Sequence, residues 1–266
     1  SKGTWYSERE GALECMRQTM SSDFNSSLAM HKHWWREYWM KSSISLPDTL
    51  LEKQWYLEMY KFAAASRKGA PPICLQAVWT ADNGQTPPWR GDFHNDLNTQ
   101  LSYWPGYSAN HLEESGVFTD WLWKIKDNGE DFTRRFFKVN GLNVPCIATL
   151  EGKAIGGWSP YSHQPTTSGW LAHHFYQQWK YGADAEFLKN RAYPWVKEAA
   201  RYFENVSVKD ADNKRKLPLS SSPEINDNEL DAWFQQTTNY DLANIRFTYT
   251  AAAEMADVLT PNLTEA

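Results

Sequence analysis

The sequence predicts an all-α chain, on three observations. Apolar residues recur three and four positions apart through six separate stretches. Capping residues and glycines stand where those stretches begin and end. No run alternates with the period of two that a half-buried strand requires, and no βαβ rhythm is present.

Taken in order, residues 23–42 place Phe24, Leu28, Trp35 and Trp39 near helical spacing. Asp48, after Pro47, is an N-cap for a helix over 48–66 that carries Leu51, Trp55, Met59 and Ala63 on one face and stops before Gly69. Leu112, Val117, Trp121 and Ile125 predict a helix over 111–126, closing at Asn128-Gly129. Leu171, Phe175 and Trp179, four apart, predict another over 168–181 that ends at Gly182. Asp184 caps the next, through Leu188, Trp195, Ala199 and Phe203, with a kink at Pro194. The last runs from about 239 to 259 through Leu242, Ile245, Tyr249, Ala252, Met255 and Leu259. Helices joined by a tight turn at Gly182 form an αα-hairpin, and repeated hairpins build a bundle, a solenoid or an α/α toroid. No fixed repeat length is visible, which argues against the solenoid.

Composition narrows the function classes. The 266 residues hold 15 Trp, 13 Tyr and 12 Phe, yet mean hydropathy is −0.68, so the rings stand among many polar groups. Flat rings beside hydrogen-bonding side chains suit sugar faces, and they also occur in large helical repeats. A net charge of −5 gives no basic surface for nucleic acid, and no apolar stretch reaches the length of a membrane span. Cys15, Cys74 and Cys146 are widely spaced and odd in number, which predicts packed thiols and no disulfide framework. His31 with His33, and His173 with His174, lack a convincing metal-pair spacing, so no metal and no cofactor are expected. Hydrolase, zincin, phosphate-loop and dinucleotide motifs are all missing.

The chemistry collects in long connections over 70–110, 140–167 and 206–237, where loops of that length are usually functional. The first reads Phe93-His94-Asn95-Asp96-Leu97-Asn98-Thr99-Gln100, then Tyr103-Trp104-Pro105, a set of short hydrogen-bonding groups between rings that can position hydroxyls and a water. Taken singly, each residue reads as a turn or cap, with Asn95 or Asp96 starting a helix. The third reads Ser220-Ser221-Ser222-Pro223-Glu224. A carboxyl held there among small uncharged residues is expected to keep its proton more strongly, as a general acid needs. Asp96 and Glu224 together supply the two carboxylates of glycoside hydrolysis. The middle loop offers Glu151, Trp158, Tyr161 and His163, as a stacking platform or as ordinary packing.

These segments resemble glycoside hydrolase family 95. The likeness runs through Gly69-Ala70-Pro71-Pro72, Leu75-Gln76-Ala77-Val78-Trp79, Pro87-Pro88-Trp89, Asn98-Thr99-Gln100 and Tyr103-Trp104-Pro105. It continues through Gly169-Trp170-Leu171, Tyr181, Asp184, Phe187-Leu188, Ala192-Tyr193-Pro194, Lys197-Glu198-Ala199-Ala200, Ser222-Pro223-Glu224, Asp241 and Arg246, covering roughly 48–260. The resemblance implies an (α/α)6 toroid and an inverting α-L-fucosidase or α-L-galactosidase. It implies Glu224 as general acid and Asn98 as one of two residues that orient the attacking water. Asp96 stands where the family usually has the second asparagine, a departure that lets it serve as base or marks a different substrate. His94 matches a sugar-contacting histidine and favours α-L-fucose. Trp104, Glu151, Trp158, Trp170 and His174 complete the expected substrate-binding set.

The expected organisation is an N-terminal helical linker over 1–47 and part of an (α/α)6 catalytic domain over 48–266, incomplete at its C-terminus because the family's own base aspartate would follow. The expected partner is an oligosaccharide or glycan, with neither nucleic acid nor a membrane span, and the expected location is secreted or periplasmic. The rival expectations are a non-catalytic carbohydrate-binding toroid, another α-glycosidase, and a polysaccharide lyase, for which the basic cluster is lacking.

Overall fold

The computed structural model describes residues 2–77, 85, 91–155 and 158–260. Val78-Trp79 and Pro87-Pro88-Trp89, both part of the family likeness in the sequence, lie outside the described residues. The chain divides into two compact units, residues 1–45 and 46–266.

The first unit is a pair of helices, α1 (Lys2–Ser21) and α2 (Phe24–Met40). Asp23 starts α2 by accepting from the Ser26 amide at 2.9 Å, which satisfies one of the helix's orphan donors. Rings four apart stack along α2, Trp34 on Tyr38 at 5.4 Å and Trp35 on Trp39 at 5.8 Å.

The second unit is helical throughout its core. It opens with α3 (Thr49–Ala65), capped as expected by Asp48, whose carboxylate takes the amides of Leu50 and Leu51. Helix α4 (Asn98–Ser108) fills part of what reads as a loop in the sequence. Its face is polar and aromatic, with Thr99, Gln100 and Tyr103 buried, so apolar periodicity misses it. Helix α5 (Leu112–Lys124) follows, then α6 (Lys126–Phe132), which carries the chain past the expected stop at Gly129 into a π-helical turn over Thr133–Phe137. After the short α7 (Ser159–Ser162), α8 (Thr167–Gly182) runs one residue beyond the expected end, and Ala183 rather than Gly182 takes the left-handed position with φ +50°. Asp184 caps α9 (Ala185–Phe187), and a π-helical turn over Leu188–Ala192 leads into α10 (Tyr193–Val206). Pro194 sits in the first turn of α10, directly after the π-helical turn, in backbone that stays helical from Ala185 to Val206. The last helix, α11 (Asn239–Leu259), begins with a capping box between Thr238 and Asp241.

Helix α8 is the hub, packed against α4, α5, α10 and α11. Phe175 stacks on Trp195 at 4.7 Å and Tyr103 on Phe118 at 4.7 Å, all four fully buried. Burying each such ring stabilises the fold by roughly 1.5–3 kcal/mol. Gly169 sets the closeness of α8 to α10: a β-carbon there would lie 2.7 Å from the Phe203 ring. Two short antiparallel pairs accompany the helices among the described residues. β1 (Phe93–His94) pairs with β2 (Ile147–Ala148), His94 opposite Ile147, and β3 (Val208–Lys209) pairs with β4 (Arg215–Lys216). The first of these fixes the candidate site.

Candidate active site

Asp96 lies on the turn between β1 and α4, and its position is determined from behind. The Asn95 amide donates to the Cys146 carbonyl at 2.7 Å, extending the β1–β2 pairing, and the Asn95 side-chain amide donates to Pro145 O at 3.1 Å. Gln100, in the first turn of α4, reaches back with Nε2 to the carbonyls of Asn95 (2.8 Å) and Asp96 (2.7 Å). Its Oε1 is therefore an acceptor, and it lies 3.1 Å from His174 Nε2. His174 must carry its proton on Nε2 and accept the Tyr107 hydroxyl on Nδ1 at 2.9 Å. Burial holds the His174 pKa well below the usual histidine range, so the ring stays neutral, as this relay requires. The expected sugar-binding His174 is thus fully enclosed with both nitrogens engaged, and it supports the Asp96 turn from α8.

The Asp96 carboxyl is 7% exposed, and its Oδ1 has no hydrogen-bond partner. Burial raises its pKa above the ordinary aspartate value; the neighbouring His94 opposes that shift and Glu224 adds to it. His94 is buried beside it, with Nε2 3.2 Å from Asp92 Oδ1. Asn98, the first residue of α4, is exposed.

Glu224 sits on the connection between β4 and α11, and a second set of bonds aims it. Asp241, fully buried, accepts from Thr166 Oγ1 (2.8 Å), from Thr238 Oγ1 (2.6 Å) and N (3.1 Å), and from the Ser220 hydroxyl. Ser220 also exchanges both main-chain bonds with Phe234 at 2.8 Å. Ser221 Oγ donates to the Pro160 carbonyl in α7 at 2.9 Å. Beyond this anchor Glu224, Asn226 and Asp227 have φ of +56°, +61° and +48°. Left-handed backbone is tolerable for Asn and Asp but costs a glutamate about 1–2 kcal/mol, and strain of this kind concentrates at functional sites. The Glu224 side chain is exposed, not enclosed among small residues as the sequence suggested.

Helix α7 links the two carboxylate loops. Pro160 O takes Ser221, Ser162 O takes the Cys146 amide at 3.2 Å, and Cys146 O takes Asn95. Between them Tyr161 is 3% exposed, and its hydroxyl has no partner. Burial raises the Tyr161 pKa, as do the charges of Asp227, Glu224 and Asp96. Tyr161 therefore lies on the turn whose carbonyls bond to both carboxylate loops.

The remaining expected residues fall in two groups. Trp158 is half-buried with its ring 5.4 Å from that of Tyr161. Trp104 stacks over His174 at 6.3 Å, and Trp170 lies 6.4 Å from Trp104 and edge-on to Tyr240, so both half-buried rings stand behind the Asp96 turn. Glu151 is separate. It is exposed on the turn after β2, its carboxylate held below the usual range by the Thr149 hydroxyl, with Lys153 and Lys124 nearby. The sequence offers Tyr161 only as a stacking or packing ring and Gln100 only as one of several hydrogen-bonding groups, and it gives no signal for Tyr107 or Ser221. Among the described residues no three His, Cys, Asp or Glu side chains converge as a metal site, and no helix is long and apolar enough to cross a membrane.

Residues 21–264 match the glycosyl hydrolase family 95 catalytic domain. The chain is 28% identical over 166 residues to "Probable alpha-fucosidase A" of Aspergillus niger, covering 57% of this chain and 19% of that protein. It is 25% identical over 178 residues to "Alpha-L-fucosidase 2" of Arabidopsis thaliana, covering 66% of this chain and 21% of that one. The chain thus spans about a fifth of the length of these curated relatives. The solved structure "Putative kojibiose phosphorylase from human microbiome" superposes with a TM-score of 0.71 at 14% identity, over 96% of this chain and 32% of that one. That likeness identifies the fold as part of an (α/α)6 toroid.

Proposed function

Because the chain belongs to the glycosyl hydrolase family 95 catalytic domain, we propose that it carries the acid-bearing part of an inverting glycosidase that releases a terminal α-linked sugar, α-L-fucose first among candidates. The observation that supports this best is the α7 bridge, whose carbonyls accept from Ser221 on the loop that carries Glu224 and from Cys146, next to the strand that holds the Asp96 turn. In this reading Glu224 gives its proton to the glycosidic oxygen as the bond to the anomeric carbon breaks. A water held by Asn98 and Asp96 attacks that carbon from the opposite face, and its proton passes to Asp96. The product therefore leaves with inverted configuration. A buried base with a raised pKa binds the water's proton more strongly than an ordinary aspartate. His94 and the Trp158 ring would border the sugar, and the α-fucosidase names of both relatives support fucose. A secreted or periplasmic location fits a glycan substrate.

The test is hydrolysis by the intact protein of aryl α-L-fucoside, aryl α-L-galactoside and 2′-fucosyllactose, beside Glu224→Gln. The reading expects one sugar to be released, first as the inverted anomer by NMR, and turnover to be lost in the variant while binding is kept. Retained configuration, or full activity in Glu224→Gln, would overturn it. Binding of the same glycans without hydrolysis in the intact protein would favour a carbohydrate-binding module.

A further inference from the structure

A groove between α5, α6 and α10 shares no residue with the candidate active site. Its larger part encloses about 440 Å³ between Trp123 and Tyr193, and a second part of about 220 Å³ runs on to Asn140 and Gly141. Glu130, Glu198 and Arg201 line both parts, so they form one continuous groove. The far end is fastened to α10. Glu198 O takes the Leu142 amide at 3.0 Å, and Asn205 Nδ2 donates to Asn140 O at 3.0 Å. Between them Gly141 lies so close that a β-carbon there would stand 2.4 Å from Tyr202 N.

The charged side chains of the groove are of both signs, with the positive in excess. Lys126, Arg134, Lys197 and Arg201 face Glu130 and Glu198, in a chain whose net charge is −5. Lys126 bonds to Glu130, Arg201 lies 3.5 Å from Glu198, and Arg134 lies 3.4 Å from Asp131 beside the groove. Lys197 is exposed and has no carboxylate partner among the described residues; its ammonium stands 5.8 Å from the Tyr193 ring. The Trp123 and Tyr193 rings are both half-buried and wall the larger part.

Positive charge gathered on an acidic protein selects a negative group. The two glutamates repel a simple anion but accept from hydroxyls, whereas a neutral sugar leaves Lys197 unanswered. A sugar that carries an acid group uses both sets, and the two rings offer flat surfaces to its apolar face. We infer that this groove binds an acidic glycan, built of uronate or sulfated sugars, with Lys197 and Arg201 on the anionic group and Glu130 and Glu198 accepting from hydroxyls. The charges are partly exposed, so salt screens the binding. The inference is independent of the glycosidase reading, because it concerns binding at a separate groove.

The experiment is isothermal titration of the intact protein with trigalacturonate and with a sulfated chondroitin oligosaccharide, beside the methyl ester of the first and the desulfated form of the second. Lys197→Glu and Arg201→Glu are compared with Lys209→Glu, the same change of charge on the exposed β3. All three side chains are exposed, and a Tm for each variant checks that the fold is kept. Expected is binding of at least one acidic glycan, weakened about 10-fold or more by removal of its charge and by either groove variant, weakened by added salt, and unchanged in Lys209→Glu. Which glycan binds separates carboxylate from sulfate. Failure of both to bind overturns the inference, and so does binding that neither groove variant weakens. An equal loss in all three variants overturns it as well, since that marks general attraction by net charge. Inorganic sulfate or an acidic peptide that binds as tightly as the glycan would also overturn it, because the sugar is then not what the groove recognises.

Discussion

Ser221 donates its hydroxyl to the main-chain carbonyl of Pro160 at 2.9 Å, and this bond fastens the loop that presents Glu224 to the turn that carries Tyr161. Both residues are buried, so Ser221→Ala leaves a carbonyl without a partner at a cost of about 1–3 kcal/mol. We expect a lowered Tm and a fall in kcat/KM larger than the stability loss alone would give, because Glu224 is no longer aimed. Thermal melts and steady-state kinetics on the same preparation check both.

Asp96 links the site to pH. Its folded-state pKa lies above the unfolded value because burial penalises the charge. Such a group favours the folded state fully below the unfolded pKa, and that contribution is lost as pH rises through the folded pKa. Asp96→Asn removes the penalty. Its Tm should therefore exceed wild type at pH 7, and the difference should shrink as pH falls through the raised folded-state pKa and be gone below about 4. In the wild type the acid limb of the activity profile should lie above the ordinary aspartate range, since protonated Asp96 cannot take the water's proton. Melts across pH and a kcat/KM–pH profile test the two signs.

Glu224 holds a left-handed backbone, φ +56°, that a glycine adopts without strain. Glu224→Gly should raise stability or leave it unchanged, by up to about 1 kcal/mol, while abolishing turnover. Glu224→Ala, lacking the carboxyl but keeping the β-carbon, should lose activity without the gain. Denaturant unfolding of the two variants separates strain from chemistry.

Gln100 completes the relay from Tyr107 through His174 to the Asp96 turn. Gln100→Leu would leave His174 Nε2 and two carbonyls unpaired in the core, a loss of about 2–4 kcal/mol. Gln100→Glu should restore part of it, since a carboxylate oxygen can still accept from His174. Differential scanning calorimetry ranks the three proteins.

The helices that pack through apolar stripes were legible in the sequence, because Asp48 and Asp184 mark starts and the spacing of Leu171, Phe175 and Trp179 marks a buried face. Helix α4 was not, because its buried face is Thr99, Gln100 and Tyr103 and it contains Pro105. Asp96 and Glu224 could be singled out as acids from composition and order, but the anchoring of their loops to α7 could not. It depends on Asn95, Cys146, Pro160 and Ser221, whose bonds join segments far apart in the chain. His174 shows the limit most clearly. A histidine next to aromatic residues reads as a ligand in sequence, and only tertiary burial reveals that both its nitrogens are committed to Tyr107 and Gln100.

The central claim is that Asp96 and Glu224 act on one bond as acid and base. The measurement that tests it most directly is kcat/KM on the aryl α-L-fucoside for Asp96→Asn, Glu224→Gln and the double variant. If the pair acts as a unit, each single change should lose on the order of 10²-fold or more, and the double variant should be little worse than the poorer single one. Losses that multiply, or an Asp96→Asn enzyme that keeps wild-type turnover, would contradict the pairing and leave Asp96 orienting the water as an asparagine would.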